Sequence, residues 1–170
     1  MRLVFVIVQG ERAAGVGFNA PVGSGICSVI AVRDALGLAT EVVGVVAAGA
    51  PAYALSFEAR KVTETDLPQT MADGLAVRVP HPLALEIILA GATRVVKVTD
   101  DEIAGAMRHY FTDTHNVAEG AGAASLAAAI QEAAELRGRR VGVILSGGNV
   151  DRVTYLSVLA GTSTPGNAPQ

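Results

Sequence analysis

The stretch "VGVILSGGNVD", Val141 to Asp151, governs how the rest of the chain is read. Val141–Leu145 is a short run of apolar residues, rich in β-branched side chains, with the length of a buried strand. It ends on Ser146, Gly147, Gly148 and Asn149. A turn needs glycine, but it needs no hydroxyl at the tip of the strand before it. A small polar group held there suits a sheet that meets a ligand at its carboxyl edge, where open parallel α/β sheets bind.

Outward from this stretch, strands and helices alternate. Leu3–Val8 and Glu41–Ala47 read as strands, and so does the segment from Thr93 to Val98. Helices are expected over Ile26–Gly37, with Gly37 as the C-terminal stop, over Pro51–Lys61 with proline in the first turn, and over Leu83–Gly91. Thr99 stands three residues before Glu102, which is a capping box, and Ile103, Met107, Tyr110 and Phe111 follow at helical spacing. A second helix is expected from Asn116 to Arg140, and a last short one from Arg152 to Gly161. Between them lie a glycine-rich loop over 10–25 and an irregular connection over 67–82 with three prolines. The pattern predicts an α/β fold, a mainly parallel sheet with helices on both faces, in one domain over 1–161. The tail over 162–170 is expected to be disordered.

Composition narrows the function. The chain has 170 residues, 51% hydrophobic and only 4% aromatic, so its core is built from small side chains. Net charge is −3 without a basic block, which argues against a nucleic-acid partner. Cys27 is the single cysteine, so no disulfide forms within one chain, and His81, His109 and His115 lack ligand spacing for a metal. The apolar run Leu3–Val8 falls far short of the roughly 20 residues that span a bilayer. The expectation is a cytoplasmic protein with no membrane partner.

Three glycine-rich motifs carry possible chemistry. "PVGSGI" opens a helix, where Gly23, Ser24 and Gly25 either offer N–H groups to a phosphate or form a plain strand-to-helix turn. It lacks the third glycine of a dinucleotide fingerprint and the lysine of a Walker loop. "AEGAGAASLAA" sets Glu119 before small residues, which reads equally as a helix start packed closely on its neighbour. "ADGLAVR" puts Asp73 and Gly74 in a turn.

In this order and spacing, "PVGSGI", "VVGVVAAGAPAYALSFEARK", "ADGLAVR", "VVKVTDDEI", "EGAGAASLAA" and "LSGGNVD" resemble the C-terminal part of the fold type II pyridoxal-phosphate enzymes. The nearest subgroup is the serine/threonine dehydratases, with serine racemase close by. The resemblance runs from about Pro21 to Asp151. It implies the large-domain fold of that family and pyridoxal phosphate (PLP) as cofactor. An amino acid with a β-hydroxyl would be the substrate, with β-elimination to a 2-oxo acid and ammonia. By the same resemblance Gly23, Ser24 and Gly25 cradle the cofactor phosphate, Gly74 and Glu119 lie beside the cofactor, and Ser146 hydrogen-bonds the pyridine nitrogen. Gly147 and Gly148 would then let the ring approach the backbone.

Several features depart from the family. Its Schiff-base lysine lies upstream in a motif that neither Lys61 nor Lys97 matches, so no catalytic residue is assigned here. The loop that grips the substrate carboxylate is likewise unmatched. Val46 and Ala52 stand where racemase-like members carry acidic ligands, so no metal site is expected. Two readings stay open: the C-terminal half of a dehydratase, or a non-catalytic remnant that binds phosphate compounds or a partner chain. On either reading the chain is expected to associate, as a homo-oligomer or with a complementing N-terminal half.

Overall fold

The computed structural model describes residues 2–7 and 24–162. The elements are β1 (Arg2–Ile7), α1 (Ser24–Ala35), β2 (Glu41–Ala47), α2 (Ala52–Ala59), a 3-10 turn (Asp73–Leu75), α3 (Pro82–Gly91), β3 (Arg94–Val98), α4 (Asp100–Thr114), α5 (Gly120–Gln131), β4 (Arg140–Val143) and α6 (Arg152–Ala160). The strands lie in the order β3-β2-β1-β4, and every pairing is parallel.

β2 shows why the sheet is covered on both sides. Val42 and Val46 point to one face, packed with Ile26, Ile30, Tyr53, Ala84 and Ile88 from α1, α2 and α3. Val43, Val45 and Ala47 point to the other face, against α4, α5 and α6. The alternation is the period of two that any strand imposes. Because both faces are buried, β2 reads in sequence as an unbroken apolar run. Each fully buried valine or isoleucine contributes roughly 1.5–3 kcal/mol relative to exposure. Helix α1 comes close to α3 at Gly91, where a β-carbon would sit 2.2 Å from Cγ2 of Ile30. The irregular connection is tied down by Tyr53, whose hydroxyl accepts from the His81 N–H at 3.2 Å. Burial, above all, pushes the pKa of that hydroxyl up to about 12.

The capping box forms as expected: Thr99 Oγ1 accepts from the Glu102 N–H, and the Glu102 carboxylate accepts from the Thr99 N–H at 2.7 Å. Within α4, Gly105 faces open space, with only an Arg108 guanidinium nitrogen at 3.8 Å from a built β-carbon. Gly105→Ala is therefore expected to stabilise the fold by about 0.5–1 kcal/mol, since glycine loses more backbone entropy than alanine. Calorimetry should show the thermal midpoint rise by about 1–4 °C. A lower midpoint would contradict the open surroundings of that position.

Two expectations need correction. The helix expected over Asn116–Arg140 is shorter: α5 ends at Gln131, and tight i→i+3 bonds such as Ala133 N–H to Ile130 O replace it. Glu132 is drawn to the guanidinium of Arg94 at the start of β3, which it binds through both carboxylate oxygens. The strand expected over Val141–Leu145 is neither that long nor buried. Pairing with β1 stops at Val143, and β4 is a sheet edge on which Val141 is 37% exposed. Gly23, most of the glycine-rich loop over 10–25 and the tail from 163 lie outside the described residues.

Candidate functional site

Strand order fixes where a site can form. From β1 the chain steps one way, to β2 and then β3, while β4 lies on the opposite side of β1. The topological switch point is therefore between the carboxyl ends of β1 and β4, where the crossovers leave a crevice. The segment after β4 carries Ser146–Gly148. Helix α1, which follows β1, opens with Ser24 and Gly25 in its first turn. The first N–H groups of a helix have no intrahelical acceptor, which is why helix N-termini commonly accept anions.

The start of α5 is bound to the segment after β4. The Glu119 N–H donates to Gly147 O at 3.1 Å. The Glu119 side chain makes no cap bond to its own helix. It lies instead against Gly147, where a β-carbon would be 2.2 Å from its Oε1. A β-carbon on Gly148 would be 2.6 Å from Val117 O. These two glycines thus admit other parts of the chain itself to close approach. Ser146 between them and the strand is exposed, and its hydroxyl has no hydrogen-bond partner among the described residues.

A polar cleft of about 870 Å³ opens beside these residues, with Asp73, Gly74, Asp100, Glu119, Asn149 and Asp151 in its walls. Among the described residues, no lysine, arginine or histidine lines it. Two of its carboxylates accept hydrogen bonds from nearby residues. Asp100 accepts from Thr70 Oγ1 at 2.6 Å and from the Met71 N–H at 2.8 Å. Asp151 caps α6 by accepting from the Thr154 N–H at 2.9 Å, and bonds from Thr154 hold its carboxyl below the usual range.

Of the residues singled out in the sequence, Gly74 and Glu119 share this cleft, and Gly147 is bonded to Glu119. Ser146 precedes Gly147 along the chain, and neither of the two lines the cleft. Gly25 is not among the residues lining the cleft. Lys61 borders a different, largely apolar hollow of about 430 Å³ between α2 and α3. Lys97 pairs with Glu58 at 3.5 Å on the exposed surface. Val46 and Ala52 are buried in the apolar core, and no group of three or more His, Cys, Asp or Glu among the described residues is placed to hold a metal. Burial raises the Cys27 thiol above its ordinary pKa, which argues against a reactive thiolate. No helix among the described residues is long and apolar enough to cross a membrane.

Sequence reading missed four contributors. Thr70 and Asp100 close the loop over the cleft, and Gly122 and Ser125 of α5 touch the segment after β4. The spacing Glu119, Gly122, Ser125 was a visible signal, since residues three apart share one side of a helix.

The architecture is that of a fold type II PLP enzyme, a mainly parallel sheet flanked by helices on both faces. Residues 12–147 match the family described as "Pyridoxal-phosphate dependent enzyme", and the chain belongs to that family. It is 32% identical over 133 residues to the L-threonine ammonia-lyase of Thermotoga maritima, across 77% of this chain and 33% of that protein. It is 35% identical over 138 residues to the phenylserine dehydratase of Ralstonia pickettii, across 79% of this chain and 42% of that one. Its fold superposes on the processed form of threonine deaminase isoform 2 from Solanum lycopersicum with a TM-score of 0.79 and 26% identity, covering 94% of this chain and 42% of that structure. The chain thus spans 33% to 42% of the length of these relatives.

Proposed function

We propose that this chain forms the C-terminal half of a PLP site for β-elimination on a β-hydroxy-α-amino acid of the serine or threonine kind, giving a 2-oxo acid and ammonia. The observation that carries it is Ser146: a hydroxyl with no partner among the described residues, three residues past the end of β4 and on the switch-point side of the sheet, in a chain of the PLP-dependent family. The donor set suits the cofactor. The first turn of α1 offers backbone N–H groups for a phosphate, and Ser146 offers one neutral donor for a ring nitrogen. When bound, the cofactor supplies an electron-withdrawing ring for charge that develops on the substrate.

The chain's own residues then have separate tasks. Ser24 and Gly25, with Gly23, hold the phosphate. Ser146 donates to the pyridine nitrogen without ionising it; a carboxylate there would keep the nitrogen protonated. Gly74 and Glu119 border the space for ring and substrate. The two relatives named for their substrates act on threonine and phenylserine, both β-hydroxy amino acids, which supports that substrate class. Neither lysine of this chain lines the cleft, so a covalent link to the cofactor falls to a lysine supplied from elsewhere. The same observation favours the second reading, a non-catalytic phosphate- or partner-binding module. The exposed edge of β4 is where a complementing N-terminal half or a second copy would add to the sheet. A cytoplasmic location belongs to the same proposal.

The test is a fluorescence titration of the chain with PLP. Ser146→Ala should weaken binding roughly twofold to tenfold, the worth of one neutral hydrogen bond, with the far-ultraviolet circular dichroism unchanged. Equal affinity in the two proteins would remove Ser146 as the pyridine partner.

A further inference from the structure

Glu119, Gly122 and Ser125 lie three apart along the start of α5 and face the segment after β4. Glu119 N–H donates to Gly147 O at 3.1 Å. A β-carbon on Gly122 would stand 2.3 Å from the same oxygen. Ser125, fully buried, donates its hydroxyl to Ile144 O at 2.8 Å. From 119 to 125 a helix rises about 9 Å, at about 1.5 Å per residue. From 144 to 147 an extended chain covers about 10 Å. The two lengths match, so α5 grips the segment at both ends and leaves Ser146 between the grips.

Ser125 has no other evident reason to be a serine. Its neighbours in α5 are mostly alanine, and alanine would fill the buried position with less polar cost. A helical serine commonly turns its hydroxyl back to a carbonyl of its own helix. This one reaches instead across 19 residues of sequence, to the carbonyl just beyond the end of the β1–β4 ladder. That carbonyl has left the sheet and needs a donor.

We infer that Ser125, with Gly122, is a positioning residue for Ser146: it fixes where the serine hydroxyl in the segment after β4 points. The inference rests on the cofactor reading above, and the test separates the two. Ser125→Ala is examined in the full chain, alone and combined with Ser146→Ala. Amide exchange over residues 145–148 should quicken in Ser125→Ala, while the β1–β2 ladder keeps its protection. PLP affinity should fall roughly threefold to tenfold when Ser146 is present, and by less than twofold when residue 146 is already alanine, since coupled residues are non-additive. Unchanged exchange over 145–148 overturns the grip. Equal weakening in both backgrounds makes Ser125 structural only and overturns the positioning role. Absence of saturable PLP binding by the unaltered chain overturns the cofactor reading and this inference with it.

Discussion

Gly122→Ala should lower the thermal midpoint by about 2–12 °C, from a loss of about 1–3 kcal/mol typical of overpacking. The added methyl would meet Gly147 O at 2.3 Å and Gly147 N at 3.1 Å. Both are backbone atoms, and the oxygen is already the acceptor for Glu119. Relief therefore requires α5 and the segment after β4 to separate, which strains the Ser125 bond to Ile144 as well. Gly147→Ala is the informative contrast. Its methyl would be 2.2 Å from Oε1 of Glu119, the far end of a flexible side chain that can swing aside. Differential scanning calorimetry on both variants should rank Gly122→Ala as the more damaging. An unchanged midpoint for Gly122→Ala would mean that helix and segment are not in close contact.

That contact also marks the limit of what the sequence discloses. Periodicity and end signals are local, and where local signals decide the outcome the reading holds. β2 is found over Glu41–Ala47 as expected, and Thr99 and Glu102 form their box. α3 covers the expected Leu83–Gly91 and starts one residue earlier, at Pro82. Long-range partners decide the failures. α5 stops at Gln131 because Arg94, 38 residues earlier, binds Glu132. β4 looks like a buried strand because it is apolar, yet it is exposed because no described strand lies beyond it. Nothing in "SGGN" tells that the space beside Gly147 is taken by Glu119. The candidate site divides in the same way. The family pattern singles out Gly74, Glu119 and Ser146, of which the first two line the cleft, whereas Thr70 and Asp100 come to it only once the chain is folded.

The second large effect concerns catalysis: the chain alone should release no ammonia from serine or threonine. Enzymes of ordinary power accelerate their reactions a million-fold or more, so the expected result is a signal at the uncatalysed background. A covalent link to PLP needs an amine that reaches the aldehyde. Lys61 sits beside a hollow between α2 and α3, away from the cleft that holds Gly74 and Glu119. Lys97 belongs to β3 and is engaged with Glu58. Among the described residues no cation lines the cleft to take their place, and its walls carry Asp73, Asp100, Glu119 and Asp151. The protein is incubated with PLP, reduced with borohydride and weighed, and ammonia is assayed in parallel with serine and threonine. The expected mass is that of the unmodified chain. A single adduct on Lys61 or Lys97 together with ammonia release would overturn this, because a lysine would then have to reach the cleft by a rearrangement of α2 or β3, both packed in the core.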